Sequence, residues 1–412
     1  MGIFFYICIM PDRSLRNLFL HHVAQTSDSP LALEITHAEG MYLYAEGKQY
    51  IDCISGIAVS NVGHANPYVN QAVKQHVDKH LHLMVYGEII QSSQVMLAEK
   101  LTSLLPPSLH SVYFVNSGSE AVEGAMKLAK RVTGRHRFVA QEQAYHGSTH
   151  GALSLMSEAY FSQRYVPLLP GVSFIRQEDI THIGSVITDE TAAVFIEPLM
   201  GEKGYVNSSK EYLQAIRKRC DETGALLVFD EIQSGYGRTG KLFAFEHDGI
   251  IPDILVLAKG FGGGLPLGAF VASNDVLKSL THDPVLGHIT TFGGHPLSCA
   301  ASLAALEFIL DKGLMESIPE KEALFRKLLV HPRIKNVSGK GLLLAVDLED
   351  TDFCRKVIDG CVKDGLLIDW FLYAEHKIRL APPLIVENDH IKTICGTIVE
   401  NIIKCEATTG TL

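Results

Sequence analysis

The sequence predicts an α/β fold built on a mostly parallel central sheet with helices on its faces. Apolar runs of strand length recur along the chain between turn residues, at 111–115, 192–196, 225–229 and 254–258. Segments with helical spacing alternate with these runs, as at 120–131 and 210–223. Continuous apolar strands that alternate with helices are typical of a parallel sheet covered on both sides.

The other helices of the large predicted domain are indicated by spacing. Apolar residues recur at helical intervals in 69–79 and in 94–105. Pro106 and Pro107 end the second of these helices, because proline lacks the N–H group that a helix needs. An alanine-rich stretch predicts a long helix over 298–312.

A change of pattern near Gly313 indicates a domain boundary. The following segments predict an α+β layer, at 316–329, 341–347, 352–364 and 377–380. We therefore expect a large domain at 61–313 and a C-terminal small domain at 314–412. The N-terminal segment 1–60 is expected to pack with the small domain.

Composition indicates an ordinary globular protein, with 47% hydrophobic and 20% charged residues over 412 positions. The chain has 36 lysines and arginines against 46 aspartates and glutamates, which gives a net charge of −10. An acidic chain without a basic tract argues against a nucleic acid or an anionic membrane as its main partner.

The eight cysteines are dispersed without a C-x-x-C pair, which is typical of buried thiols in a reducing compartment. We therefore expect a cytoplasmic protein. No metal is expected, because the pairs His21/His22 and His80/His82 lack the partner residues of a zinc site. The first ten residues are apolar but too short to span a membrane, and they lack the features of a signal peptide. Met10 is expected to be the native start, or the decapeptide is a loose tail.

A strand-to-helix turn with phosphate-binding character occurs at Asn116-Ser117-Gly118-Ser119. Two hydroxyls flank a glycine, and a helix begins at once. Helix N-termini attract phosphate through unpaired N–H groups and the positive end of the helix dipole. A simpler interpretation makes Ser119 the N-cap, with Glu123 completing a near capping box. The turn alone leaves both interpretations open.

An acidic residue, Asp230, follows the apolar run 226–229, at the sheet edge where α/β folds bind ligands. The segment Gly235–Lys241 then has the glycine and lysine spacing of a nucleotide phosphate loop. Leu242 stands where such a loop needs a hydroxyl for Mg²⁺, and the acidic strand ends only five residues before the loop. We therefore do not expect a nucleotide hydrolase.

The most informative pattern is Lys259, which ends the apolar strand 254–258 and meets the glycine-rich loop 260–264. Burial lowers the pKa of an amine and makes it the nucleophile that Schiff-base chemistry requires. Taken alone, the same lysine fits an ordinary surface position. Pro266 and the strand-like run 269–272 argue against a dinucleotide fingerprint, because that motif needs a following helix.

These features together match the needs of pyridoxal phosphate: a phosphate cradle, a carboxylate for the pyridine nitrogen, and a lysine 29 residues later. On these residues the chain resembles the class III aminotransferases, the ornithine and 4-aminobutyrate type of pyridoxal phosphate fold type I. The matching motifs are collinear and comprise Ser55–Val59, Gly63-His64, Asn116–Ala121, Tyr145–Gly147, Glu197-Pro198, Gly201-Glu202, Asp230–Gly240, Ala258–Gly260, Thr291–Gly294 and Arg379–Pro383.

The resemblance implies a role for each cofactor-binding residue. Lys259 would form the internal aldimine and shuttle the substrate proton, and Asp230 would pair with the pyridine nitrogen. The other implied positions are Ser117, Gly118 and Ser119 at the phosphate, Tyr145 stacked on the ring with His146 beside it, Glu197, Gln233 near the phenolic oxygen, and Thr291 from the neighbouring subunit of a homodimer.

The resemblance also implies substrate-binding residues. Arg379 would bind a substrate carboxylate in bidentate geometry, and Glu202 would be the switch carboxylate that pairs with arginine when an ω-amine is bound. Tyr86 would line the substrate channel. Acetylornithine-type members carry an arginine where this chain has Ser148, so the amino donor stays open. Arg164 is the candidate substitute for that arginine.

The sequence therefore predicts a pyridoxal-phosphate-dependent aminotransferase. It would move an amino group from an ω-amino substrate, such as acetylornithine, ornithine or 4-aminobutyrate, to a 2-oxo acid, with 2-oxoglutarate as the expected acceptor. Two alternatives remain. An aminomutase of the same fold would need no acceptor, and a cofactor-binding protein without catalysis would carry a damaged lysine or aspartate.

Overall fold

The computed structural model describes residues 14–85 and 87–409. The predictions for the first ten residues and for Tyr86 lie outside these residues. The helices are α1 Leu15–His22, α2 Ser55–Ala58 (a single four-residue turn), α3 Pro67–Val77, α4 Ser92–Ser103, α5 Gly118–Thr133, α6 His150–Ser154, α7 Ala159–Ser162, α8 Ile180–Val186, α9 Lys210–Thr223, α10 Asn274–Lys278, α11 Pro296–Asp311, α12 Ile318–Leu328, α13 Thr351–Lys363 and α14 Asn388–Thr409. The strands are β1 Ile35–Glu39, β2 Tyr42–Ala45, β3 Lys48–Asp52, β4 Ser111–Val115, β5 Arg137–Gln141, β6 Val172–Ile175, β7 Thr191–Ile196, β8 Leu199–Met200, β9 Val206–Asn207, β10 Leu226–Asp230, β11 Ile254–Leu257, β12 Gly268–Ala272, β13 Asn336–Lys340, β14 Leu343–Asp347, β15 Leu366–Leu367, β16 Asp369–Phe371 and β17 Ala374–Leu380.

A seven-stranded sheet of order β4-β12-β11-β10-β7-β5-β6 forms the centre of the protein. The pairs among β6, β5, β7, β10 and β11 are parallel, whereas β12 is antiparallel to both of its neighbours. Every residue of β7, β11 and β12 is buried, as expected for strands covered on both faces. The predicted α/β fold with a mostly parallel sheet is therefore confirmed.

The antiparallel strand β12 follows from its connection. The segment 258–267 joins β11 to β12 without a crossover α-helix, and strands joined so directly run in opposite directions. Strands β7, β10 and β11 therefore end at one edge of the sheet, beside the loop that leads into β12. That edge is where ligands bind in open α/β sheets.

Three smaller sheets complete the fold of the described chain. One is antiparallel with the order β13-β14-β17-β16, a second has the order β1-β2-β3-β15, and a third pairs β8 with β9. In the second sheet β3 pairs in parallel with β15, with Ile51 opposite Leu366 and Asp52 opposite Leu367. N-terminal and C-terminal parts of the chain thus share one sheet. The division into domains at 60 and 313 stays a prediction.

Helix α5 begins two residues earlier than the predicted helix, and its N-cap is Ser117, whose Oγ accepts a hydrogen bond from the Glu120 N–H at 3.1 Å. The interpretation of Ser119 as the N-cap was therefore wrong. Glu123 instead accepts hydrogen bonds from Thr149 Oγ1 at 2.7 Å and from the Gly151 N–H at 2.9 Å. It thereby ties α5 to the start of α6 and leaves the Ser119 side chain available to the turn.

No helix within the described parts of the chain is both long and apolar enough to cross a membrane.

Candidate active site

A cavity of 440 Å³ lies at the carboxyl edge of the central sheet. The residues that the sequence analysis assigned to the site and that line this cavity are Ser117, Gly118, Ser119, Tyr145, His146, Glu197, Glu202, Asp230, Gln233 and Lys259. The other lining residues are Val59, Asn116, Gly147, Gly201, Ile232, Ala258 and Gly264–Leu267. Residues from six separate stretches of chain therefore converge on one cavity.

Two of the assigned residues that the structure describes do not line this cavity. Arg379 is buried directly behind Glu202, which separates it from the open space. Thr291 is exposed on the segment that carries Phe292, which is itself 53% exposed. This position is compatible with a role in a neighbouring subunit and gives Thr291 none within its own chain. Tyr86 is not among the described residues.

The turn at the start of α5 offers hydrogen-bond donors to the cavity. The first N–H groups of a helix have no acceptor within the helix, and here the Glu120 N–H is already taken by Ser117. The N–H groups of Gly118 and Ser119 belong to the same first turn and lie at the cavity wall. The turn therefore has the donors and the positive dipole end that an anionic group such as phosphate requires.

Gly147 packs against this turn so closely that only glycine fits. Its φ of +128° is in a region that side chains rarely adopt, and a Cβ there would lie 2.2 Å from Ser119 Oγ. The next residue, Ser148, donates its N–H to the same Ser119 Oγ at 3.3 Å. The motif Tyr145–Gly147 and the phosphate turn thus form one wall.

Lys259 follows β11 and has a φ of +51°, in the left-handed region, which a lysine adopts only when its surroundings hold it there. Its side chain reaches the cavity. Burial lowers the pKa of the Lys259 amine, and Arg379 lowers it further, while Glu202 acts in the opposite direction. The sequence-based expectation of a buried amine with a lowered pKa agrees with this geometry.

Asp230, at the end of β10, is held from two sides. His146 Nδ1 is hydrogen-bonded to Asp230 Oδ2 at 2.8 Å, and the Ile232 N–H donates to Oδ1 at 3.0 Å. Burial opposes protonation of the imidazole, but the contact with Asp230 outweighs burial and raises the pKa of His146. The sequence placed His146 beside Tyr145 but did not predict that it binds Asp230.

Glu197 connects the motif Tyr145–Gly147 to the segment that carries Gly201. One of its carboxylate oxygens accepts the Tyr145 N–H at 2.8 Å and the other accepts the Gly201 N–H at 2.9 Å. Burial raises the pKa of Glu197 to about 7, with His146 opposing the rise. The Tyr145 hydroxyl is hydrogen-bonded to Ser148 Oγ at 3.0 Å, so this tyrosine is fixed at its backbone and at its tip.

These groups fit pyridoxal phosphate. The turn suits its phosphate, Asp230 suits its ring nitrogen and the Lys259 amine suits its aldehyde. Two buried polar atoms of the wall, Gln233 Oε1 and His146 Nε2, have no hydrogen-bond partner among the described residues. Buried polar atoms of this kind normally have partners, so a polar ligand in the cavity is expected.

Glu202 and Arg379 form a buried bidentate pair at the edge of the cavity. The two guanidinium Nη atoms donate to the two carboxylate oxygens at 3.0 and 2.7 Å. Burial would raise the pKa of Glu202, but Arg379 outweighs it and the pKa is lowered. The Leu372 N–H donates to Glu202 at 3.1 Å, and the Arg379 guanidinium also stacks 4.6 Å from the ring centre of Phe371. The charged form of Glu202 is therefore favoured, and both partners have further contacts that hold them in place.

Asn116 and Val59 are two of the lining residues that the sequence analysis did not assign to the site, although each lies in a quoted motif. Asn116 Nδ2 donates to Glu120 and to Thr290 Oγ1, each at 2.8 Å, and so ties the phosphate turn to the segment before Thr291. Val59 reaches the cavity because α2 turns left-handed, with positive φ from Ser55 to Ala58. A left-handed turn in a segment with so little glycine has no sequence signal, so this placement depends on the fold.

Across residues 14–85 and 87–409 no group of three histidine, cysteine, aspartate or glutamate side chains is arranged to hold a metal ion.

Comparison with known proteins gives one consistent result. The model of the family described as aminotransferase class III matches residues 23–402. The acetylornithine aminotransferase of Methanosarcina acetivorans is 40% identical over 354 residues, which cover 84% of this chain and 86% of that protein. The acetylornithine aminotransferase of Methanocaldococcus jannaschii is 39% identical over 385 residues, or 90% and 93% of the two chains.

Solved structures agree with the sequence relatives. An ornithine aminotransferase of Toxoplasma gondii, with pyridoxal phosphate partially occupying its active site, matches with a TM-score of 0.87 and 26% identity, over 95% of this chain and 93% of that one. A transaminase of the marine bacterium Virgibacillus matches with a TM-score of 0.90 and 27% identity, over 96% and 100%.

Proposed function

This chain belongs to the class III aminotransferases, which use pyridoxal phosphate, and we propose that it moves an amino group from an ω-amino donor to 2-oxoglutarate. The observation that carries this proposal is the bidentate Glu202–Arg379 pair beside Lys259. While Glu202 is paired with Arg379, the arginine does not bind a substrate carboxylate; when Glu202 moves away, it does. One cavity therefore accepts two differently charged substrates in turn.

Lys259 is the proposed catalytic base. Pyridoxal phosphate, when bound, accepts the amino group and withdraws electrons from the substrate carbon. Lys259 would anchor the cofactor through its amine and would take the proton from that carbon. Burial lowers the pKa of this amine, which favours the neutral form that removes a proton.

Asp230 and His146 would act together at the ring nitrogen of the cofactor. Asp230 would hold a proton at the ring nitrogen of the cofactor, which would keep the ring electron-withdrawing. His146 Nδ1 is hydrogen-bonded to Asp230 Oδ2 at 2.8 Å and orients that carboxylate. Tyr145, which is fixed by Glu197 and Ser148, would cover the face of the ring.

The pair at the cavity edge provides the switch between the two halves of the reaction. An ω-amino donor places an uncharged stem near Glu202, so the pair with Arg379 stays closed. When 2-oxoglutarate enters, its carboxylate replaces Glu202 on Arg379 in the same bidentate geometry. Arg379 has an exposed fraction of 3%, so the carboxylate is bound in a buried site where such contacts are strong.

The identity of the donor depends on the region of Ser148. The relatives named above are acetylornithine aminotransferases, which favours acetylornithine. Ser148, however, carries no charge for the carboxylate of that donor, and it is hydrogen-bonded to Tyr145. Arg164, the candidate substitute, is exposed on the short segment after α7. We propose a donor class that includes acetylornithine, ornithine and 4-aminobutyrate-like acids.

The proposed assembly is a homodimer in which Thr291 completes the phosphate site of the neighbouring subunit. Two features support this proposal. Thr291 is exposed and lies outside the cavity of its own chain. The segment around it also exposes Val285, Ile289 and Phe292, by 71%, 50% and 53%, and exposed apolar side chains that lie close together mark protein–protein contacts. The cytoplasmic location stays a prediction.

An absorbance spectrum of the purified protein reconstituted with pyridoxal phosphate tests the proposed function. We expect a yellow absorbance band that one class of ω-amino donor bleaches and that 2-oxoglutarate then restores. Restoration by no 2-oxo acid would contradict the proposed reaction. Product formation from an amino acid without any acceptor would instead indicate an aminomutase.

A further inference from the structure

Arg238 is a buried cation without an acidic partner. It lies in the segment Gly235–Lys241, whose spacing resembles a phosphate loop and which the proposed reaction does not use. Its exposed fraction is 0%, and it makes no ion pair with any described carboxylate. Burial lowers its pKa to about 10. Burying a lone guanidinium is costly, so this residue needs a specific role to explain it.

The side-chain hydrogen bonds of Arg238 within the described chain go to one short stretch. Its Nη1 donates to the carbonyl oxygens of Ala381 and Pro382, with the Ala381 contact at 3.4 Å. These residues directly follow β17, the strand that carries Arg379. The two buried arginines of the described chain therefore meet at the same strand end: Arg379 is part of it, and Arg238 holds its continuation.

The strand end needs such a donor because of its own sequence. Strand β17 ends at Leu380, and the following Pro382 and Pro383 have no N–H groups with which to continue a sheet. The carbonyls of this segment therefore depend on donors from elsewhere. Ser55 Oγ supplies one to Ala381 at 2.7 Å, and Arg238 supplies the others.

An aromatic contact also links the two arginines. The Arg379 guanidinium lies 4.6 Å from the ring centre of Phe371, and Tyr205 packs edge-on against that same ring at 4.9 Å. The Tyr205 hydroxyl interacts electrostatically with both arginines. A change at Arg238 therefore reaches Arg379 through the backbone and through this packed aromatic pair.

We propose that Arg238 is a positioning residue for Arg379 in the open state of the switch. While Glu202 is paired, Arg379 is held by that carboxylate, by the Trp370 carbonyl and by an ion pair of its Nε with Asp369 Oδ1 at 3.2 Å. When Glu202 leaves, Asp369 and the Trp370 carbonyl still hold one side of the guanidinium, and the backbone of the strand end sets where its two Nη atoms meet the incoming carboxylate. Arg238 fixes that backbone. This inference rests on the proposed acceptor half-reaction.

Calorimetric titration of the holoenzyme with glutarate, a dicarboxylate that cannot react, tests this role. Arg238→Met should weaken glutarate binding about tenfold, since a displacement well below 1 Å already misaligns a bidentate contact. The rate at which an ω-amino donor bleaches the cofactor should stay within about twofold of wild type, because that step leaves Glu202 on Arg379. Arg238→Lys keeps the charge and one hydrogen bond, so glutarate binding should be partly restored.

Lys321→Met is the matched control, because Lys321 Nζ donates to the Leu384 carbonyl in the same segment at 2.8 Å without contacting the Arg379 strand end. Equal losses in both half-reactions, or the same loss of glutarate binding in the control, would overturn the inference. If Arg238→Met does not fold, Arg238→Lys carries the test, with glutarate binding weakened and donor bleaching retained. If the wild-type protein binds glutarate but transfers no amino group, the proposed function is contradicted and the inference about Arg238 is not.

Discussion

Glu231 follows Asp230 directly but has a different role, because it is absent from the cavity wall. Its carboxylate accepts the N–H groups of Ala244 and Phe245 and the hydroxyl of Ser234, and so anchors the backbone that follows the segment Gly235–Lys241. Burial raises the pKa of Glu231 to about 7, and the hydrogen bonds oppose that rise. Of these two neighbouring carboxylates, Asp230 lines the proposed cofactor site and Glu231 holds a segment of backbone in place.

This raised pKa has a consequence for the free energy of unfolding. Between pH 4.5 and about 7, native Glu231 keeps its proton and the unfolded chain has lost it, so stability falls as pH rises. The difference in the free energy of unfolding between wild type and Glu231→Gln, measured with urea, should fall across this window by up to about 3 kcal/mol. The exposed Glu211→Gln should show no such change, and a pH-independent difference for Glu231→Gln would contradict the assignment.

Lys259→Ala should abolish turnover, because the variant lacks the amine that anchors the cofactor and moves the substrate proton. The measurement is amino transfer to 2-oxoglutarate with the donor that bleaches the wild type. Lys241→Ala is the control, since this exposed lysine belongs to the segment that resembles a phosphate loop. Normal turnover in Lys259→Ala, or its loss in Lys241→Ala, would contradict the proposed site.

At the scale of elements, helix α5 depends on close contact with the sheet. Gly124 faces β12, and a Cβ there would lie 2.3 Å from the buried ring of Phe270. Gly124→Ala should therefore lower the free energy of unfolding by about 1–3 kcal/mol. Gly184 in α8 has no atom within 4 Å of such a Cβ, so Gly184→Ala should raise it by up to about 1 kcal/mol. Denaturant unfolding of both variants checks these opposite signs.

The elements also show what sequence patterns can predict. Strand β4 and helix α9 have the predicted bounds, because an apolar run between turns and a regular helical spacing are local signals. The start of α5 was misplaced, since Ser117 and Ser119 are equally good N-caps and only the packing of Gly147 against Ser119 decides between them. The left-handed turn of α2 is likewise fixed by contacts distant in sequence.

As with the helices and strands, part of the site could be predicted from local sequence patterns and part could not. Lys259 and Asp230 end apolar strands, so their convergence follows from the parallel sheet. The contact of His146 with Asp230 and the enclosure of Arg379 by Glu202 join residues 84 and 177 positions apart. No local sequence pattern predicts contacts between residues so far apart in the chain. The resemblance to a family implied the roles of these residues but not the contacts between them.

For the whole molecule, mixed dimers test whether Thr291 acts across a subunit interface. Thr291→Glu should abolish turnover, because a carboxylate would repel the phosphate. If Lys259→Ala and Thr291→Glu chains associate at random, about a quarter of all sites are intact, one in each heterodimer. Co-expression should therefore restore about a quarter of wild-type turnover. No restoration in demonstrably mixed dimers would contradict a shared site.

The sheet in which β3 pairs with β15 also sets an order for folding during synthesis. Strand β3 leaves the ribosome early, but its partner at Leu366–Leu367 follows more than 300 residues later. At ordinary translation rates this interval lasts about 15–60 s. The strands of the central sheet are complete by Ala272 and can assemble on the growing chain within that interval. Strands β1, β2 and β3 are adjacent in sequence and pair with one another, but the outer edge of β3 stays open to any other extended segment throughout this interval. The sheet that begins first along the chain is therefore completed only near the end of synthesis.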